Sequence, residues 1–89
     1  MNNEMKDQLI KIRDHLGHRE DLKIDLKGSG RAAFLYIRSS ERAAEVSIEQ
    51  EGFFIEFWDE ADEESDKAAV RSESVHSVPE VIHRLKEWF

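Results

Sequence analysis

Polar and apolar positions along the 89 residues change period several times, and each change predicts an element. Between residues 3 and 16, Met5, Leu9, Ile12 and Leu16 are spaced by four, three and four with polar residues between, the period of an amphipathic helix, and Gly17 stops it. From Asp21 to Lys27 the period drops to two. Leu22, Ile24 and Leu26 fall on one side and Lys23, Asp25 and Lys27 on the other, as in a half-buried strand.

Gly28-Ser29-Gly30 reads as a turn into a second strand, Ala32–Arg38. A polar loop at residues 39–42 precedes a third strand, Ala43–Gln50, in which Ala44, Val46 and Ile48 alternate with Glu45, Ser47 and Glu49. Glu51-Gly52 is expected to turn the chain into a fourth strand, Phe53–Trp58, although Glu is a poorer turn partner for Gly than Asn or Asp. Ala68–Val75 is a weaker strand candidate, placed at an edge. The run Ser77-Val78-Pro79-Glu80 has the form of a capping box, with Pro in the first helical turn. Val78, Val81, Ile82, Leu85, Trp88 and Phe89 then follow at helical spacing.

A one-residue slip sends a strand's apolar set to the wrong face, so register can be tested for consistency. A two-residue Glu51-Gly52 turn sets Ile48 against Ile55, Val46 against Phe57, Glu49 against Phe54, Ser47 against Glu56 and Glu45 against Trp58. A loop at 39–42 sets Ile37 against Ala44 and Leu35 against Val46. A two-residue Ser29-Gly30 turn sets Leu26 against Ala33 and Ile24 against Leu35. One apolar face results, with Leu22, Ile24, Leu26, Leu35, Ile37, Val46, Ile48, Phe53, Ile55 and Phe57. Two helices suffice to cover it. The expected fold is therefore a two-layer α+β domain over residues 1–89, an antiparallel meander of four to five strands in the order α-β-β-β-β-(β)-α, with both helices on one face.

The opposite face combines Lys23, Asp25, Phe34, Tyr36, Glu45, Ser47, Glu49, Phe54, Glu56 and Trp58. Four aromatics and four carboxylates on one surface have two readings. Either they pack against one another or under a helix, as cross-strand neighbours do, or they form a recognition or dimerisation surface.

Charge sharpens the second reading. The chain holds 20 Asp+Glu against 13 Lys+Arg, a net charge of −7. Residues 41–66 hold 11 acidic groups and one basic group, so the whole excess is central. Residues 59–66 alone place six carboxylates in eight positions without a large apolar side chain, and 59–67 is expected to be a mobile loop. A partner for this surface should be basic. The expected binding residues are Phe34, Tyr36, Glu45, Glu49, Phe54, Glu56 and Trp58 on the sheet, with Asp59 and Glu60 extending the negative field.

Other classes fall away on chemistry. An acidic chain disfavours nucleic acid and anionic membranes, and Arg13, Arg19, Lys23, Lys27 and Arg31 lack the interleaved aromatics of single-strand binders. No apolar run reaches the ~18 residues of a membrane helix, and the first residues do not resemble a signal peptide, so a cytoplasmic protein is expected. Without cysteine there is no disulfide, thiolate metal site or cysteine nucleophile. His15 and His18 have the spacing to share a metal, yet no third ligand accompanies them, and His76 and His83 lie about two helical turns apart. The acidic run lacks the Gly of an EF-hand loop, and Gly28-Ser29-Gly30-Arg31 lacks the Lys-Ser/Thr of a P-loop. No metal, cofactor or catalytic set is expected. The sequence thus points to a non-enzymatic binding module of the inhibitor or immunity type, bacterial or phage in character, taking a basic protein partner. The alternative is a homodimeric structural domain joined through the aromatic face or an edge strand, so the chain is expected to be a monomer or a homodimer.

Overall fold

The computed structural model describes residues 4–50, 52–60 and 68–89. Helix α1 (Glu4–Leu16) leads into strands β1 (Lys23–Lys27), β2 (Phe34–Arg38), β3 (Ala43–Glu49), β4 (Gly52–Trp58) and β5 (Arg71–Val75), and helix α2 (Val78–Trp88) follows. The strands form one open antiparallel sheet whose spatial order is the chain order, β1-β2-β3-β4-β5. Both helices pack on the same face, as the α+β two-layer reading requires. Leu9, Ile12 and Leu16 of α1 and Val81 and Leu85 of α2 share one buried cluster with Leu35, Ile37, Val46, Phe53, Ile55 and Phe57. Each such side chain contributes about 1.5–3 kcal/mol on full burial, so this layer supplies most of the driving force. No polar or charged residue is buried among the described residues.

Helix α2 is anchored at both ends. The Ser77 hydroxyl accepts the Glu80 backbone N–H at 3.4 Å and donates to the Glu80 carboxylate at 3.4 Å, closing the first turn. At the other end the Trp88 indole N–H donates to the Ala43 carbonyl at 3.1 Å, and the Trp88 ring meets Phe57 at 5.1 Å. The Arg42 guanidinium lies 4.5 Å above the Trp88 ring and donates to the Trp88 carbonyl at 2.9 Å.

Two of the three expected hairpin registers differ from the structure, each by two residues. In the first, Lys27 pairs with Phe34 and Leu26 with Leu35, so the β1–β2 connection is wider than a two-residue Ser29-Gly30 turn, and β2 starts at Phe34 instead of Ala32. Gly28 and Gly30 both adopt positive φ, 79° and 56°, and a short 3₁₀ turn over Gly30–Ala32 occupies the space between. In the third, Glu49 pairs with Gly52 and Ile48 with Phe53. Gly52 is a strand residue and not part of the turn, and Glu51 lies outside the described residues. The reason for glycine there is room. An added Cβ would run into the Val75 carbonyl oxygen and come within 3.1 Å of the His76 Cα, where the chain leaves β5 for α2. The β2–β3 register, with Leu35 against Val46 and Ile37 against Ala44, is as expected.

The weak strand candidate is real but shorter, β5 pairing with β4 from Phe57↔Arg71 to Phe53↔Val75. Its inward side is partly polar: Glu73 receives both Arg71, at 2.5 Å, and Arg84 of α2, at 3.3 Å. An edge strand bonded by ions to the helix above it is a poor template for further strand pairing. Of the expected acidic loop, residues 61–67 lie outside the described residues.

Candidate functional site

Strand alternation places Phe34, Tyr36, Glu45, Glu49, Phe54, Glu56 and Trp58 on the sheet face opposite the helices. Antiparallel register then arranges them in levels that run across the strands. One level is Lys23, Arg38, Ala43 and Trp58. The next is Asp25, Tyr36, Glu45, Glu56 and Ser72, and the third is Lys27, Phe34, Ser47, Phe54 and Ser74. No described element packs over this face. Even so, Phe34, Tyr36, Phe54 and Trp58 are half-buried and not fully exposed, because neighbouring side chains on the sheet cover their flanks.

The two-residue correction at the β3–β4 hairpin changes the chemistry of the site. Glu45 lies opposite Glu56, not Trp58, and Ser47 lies opposite Phe54, not Glu56. Two carboxylates therefore meet at the centre of the face, bounded by Tyr36 on the same level and by Trp58 and Phe54 on the levels either side. Both carboxylates are half-buried, and among the described residues neither makes a hydrogen bond or an ion pair with a cation. Burial, and secondly the negative charge of Glu56, hold the Glu45 carboxyl above its ordinary value.

The remaining expected residues do not converge on that pair. Glu49 sits at the far end of the β3–β4 hairpin, exposed, where its carboxylate accepts from the Ser74 hydroxyl at 3.5 Å. Asp59 and Glu60 follow β4 at the opposite end and are exposed. Six residues of β3 separate the two ends, roughly 20 Å at strand rise. The face also holds Lys27, which alternation sets beside Lys23 and Asp25, and one cation not anticipated there, Arg38, which the same alternation along β2 would have found.

No protein-family model matches this chain, and comparison with curated proteins and with solved structures finds no match either. The reading of the site thus rests on its own geometry. His15 and His18 are exposed at the end of α1, and no group of three or more His, Asp or Glu side chains could hold a metal ion among the described residues. No described helix is long and apolar enough to cross a membrane. What the arrangement offers is a pair of acceptor carboxylates in an apolar, aromatic surround, the chemistry that recognises an ammonium or guanidinium group.

Proposed function

We propose that this protein is a non-enzymatic binding module of the inhibitor or immunity type, which docks a basic protein partner on the sheet face opposite its helices. The observation that supports the reading is the direct opposition of Glu45 and Glu56. Like charges placed across from one another on a sheet destabilise it, and nothing described in the free protein offsets them. A Lys or Arg from a partner, laid between Tyr36, Phe54 and Trp58, would neutralise both carboxylates while its stem covers the rings. Asp59 and Glu60 then serve at the rim, where charge acts on the rate of encounter more than on affinity.

Backbone amide shifts during titration with a short Arg-containing peptide test this. Changes centred on residues 45–47 and 54–58, reduced by salt and lost in Glu45→Gln/Glu56→Gln, are the expected result. Shifts scattered over the helices, or an unchanged response in the double variant, would refute it.

A further inference from the structure

The open sheet has two edges, and they differ. β5 is tied through Glu73 to Arg84 of α2. β1 pairs with β2 alone, and among the described residues no strand pairs with its other side. Ile24 and Leu26 lean half-buried on the core, while Lys23, Asp25 and Lys27 stand exposed, and none of these three is ion-paired among the described residues. The cross-strand neighbour of Lys23 is a second cation, Arg38. From residue 21 the chain reads Asp-Leu-Lys-Ile-Asp-Leu-Lys, so charge changes sign at every second position. Turned end for end about Ile24, this segment sets acid against base throughout.

We propose that β1 is a docking edge for a second copy of the chain, the two β1 strands pairing antiparallel about a two-fold axis normal to the sheet at Ile24. This goes beyond the outer-face reading and does not depend on it. Lys23 meets Asp25 of the second copy and Asp25 meets its Lys23, so symmetry forms the ion pair twice. Ile24 meets its own copy and Leu22 meets Leu26, which continues the apolar side of the sheet across the seam. Lys27 comes to Asp21 of the second copy, a carboxylate that already accepts from Arg19. Charge also fixes the register. Moving the centre to Asp25 sets that residue on itself and Lys23 on Lys27, and moving it to Lys23 sets two lysines together. Centring on Leu26 carries Ile24 to Gly28 and shortens the pairing. A lysine on an edge strand ordinarily deters pairing. Here an aspartate of the second copy answers each one.

The acidity of the chain lies away from this edge. Its excess of carboxylates is in residues 41–66, whereas residues 1–40 hold eight basic and six acidic groups, and β1 is two strands from β3 and three from β4. Repulsion between the acidic halves beyond ~10 Å is screened at ~0.1 M salt. The pairing leaves the outer face open, and both copies turn it the same way, their Glu45 residues five strand spacings or about 24 Å apart across the sheet. Seven residues at about 3.3 Å along an edge about 10 Å deep give roughly 230 Å² per copy. That is well below the ~1,200 Å² in total of a stable interface. Main-chain hydrogen bonds and the ion pairs carry the association, and the dimer comes apart on dilution.

Sedimentation equilibrium across ~10 μM to ~1 mM at ~0.1 M salt tests the inference. Three variants at exposed positions accompany the wild type, Lys23→Glu, Asp25→Lys and the double Lys23→Glu/Asp25→Lys, each checked for native fold by its amide spectrum. The expected result is a wild-type mass that rises from monomer toward dimer, with association at least several-fold weaker in each single variant. It recovers when the two single variants are mixed, and in the double variant, because both restore opposite charges across the seam. Amide hydrogen exchange gives a readout on the wild type alone: alternate amides of residues 23–27 gain protection at ~1 mM that they lack at ~10 μM. A wild type that stays monomeric throughout overturns the inference, as does a dimer that the single variants leave intact, a natively folded double variant that does not recover, or β1 amides unchanged with concentration. The peptide titration at residues 45–47 and 54–58 is separate from all of these, so the outer-face reading stands or falls by itself.

Discussion

Replacing Glu45 by Gln should make this protein more stable at neutral pH, an unusual direction for a substitution at a half-buried position. Cross-strand partners on a sheet hold their Cβ atoms about 4.5–5.5 Å apart. At ~5 Å, Coulomb's law gives about 0.8 kcal/mol of repulsion in bulk water and about 3 kcal/mol at an effective dielectric of 20. No described element covers Glu45 and Glu56, so the lower figure governs, in line with the ~0.2–1 kcal/mol found for cross-strand pairs. The expected gain is thus about 0.5–1 kcal/mol, or up to ~8 °C in melting temperature for a chain of this size.

The pH dependence follows in sign from the raised carboxyl. The folded protein holds the Glu45 proton more tightly than the unfolded chain does, so the wild type gains stability as pH falls from neutral through the raised value toward the ordinary 4.5. The advantage of Glu45→Gln should therefore be present at pH 7 and shrink as the pH falls below the raised value. Urea melts of wild type, Glu45→Gln, Glu56→Gln and the double variant at pH 7 and pH 4 measure this, with coupling read from the cycle. A loss of stability in Glu45→Gln at pH 7, or a gain of equal size at pH 4, would refute the opposed-carboxylate account.

Three other substitutions probe the frame. Ile55→Ala and Leu35→Ala empty fully buried sites and should each cost ~2–5 kcal/mol in urea melts, whereas Trp58→Ala on the outer face should cost clearly less; a core-sized loss at Trp58 would contradict its placement. Gly52→Ala forces the chain between β5 and α2 to move and should cost at least ~1 kcal/mol, with amide shifts concentrated at Val75 and His76. Trp88→Phe keeps the ring against Phe57 but removes the indole N–H that donates to the Ala43 carbonyl, so a loss of ~0.5–1.5 kcal/mol is expected, and a neutral result in thermal melts would show that this bond adds nothing to stability.

Much of the fold is legible in the sequence because a sheet side chain has only two places to go. Alternation over 22–26, 33–37, 44–48 and 53–57 identifies the inward set, and the helical spacing of Leu9, Ile12 and Leu16 finds the layer that covers it. The same simplicity hides a two-residue slip, since moving Ile48 from Ile55 to Phe53 leaves every side chain on its face. Connection lengths then decide which neighbours meet, and they depend on glycines whose roles cannot be read locally. Gly52 looks like a turn glycine, whereas its reason lies at Val75 and His76, more than twenty residues away. The central pair of the candidate site was out of reach for that reason: a register that puts Glu45 across from Trp58 keeps the two carboxylates apart. Arg38, by contrast, was in reach by the alternation that places Lys23 and Lys27.

Because the spatial order of the strands is their order along the chain, each of the four strand pairings joins immediate neighbours. The packing of α1 against α2 is different, since it brings together residues separated by almost the whole sequence. Closing so long a loop has the larger entropic cost, although that cost grows only as the logarithm of its length. The hairpins can therefore assemble first, and the helix pair is the late event. Substitutions in the β3–β4 hairpin should slow folding, while Val81→Ala or Leu85→Ala should mainly speed unfolding, a division that stopped-flow kinetics resolves. Resistance to unfolding over time then belongs to the helical layer, leaving the opposite face free to change its chemistry without altering how long the fold persists.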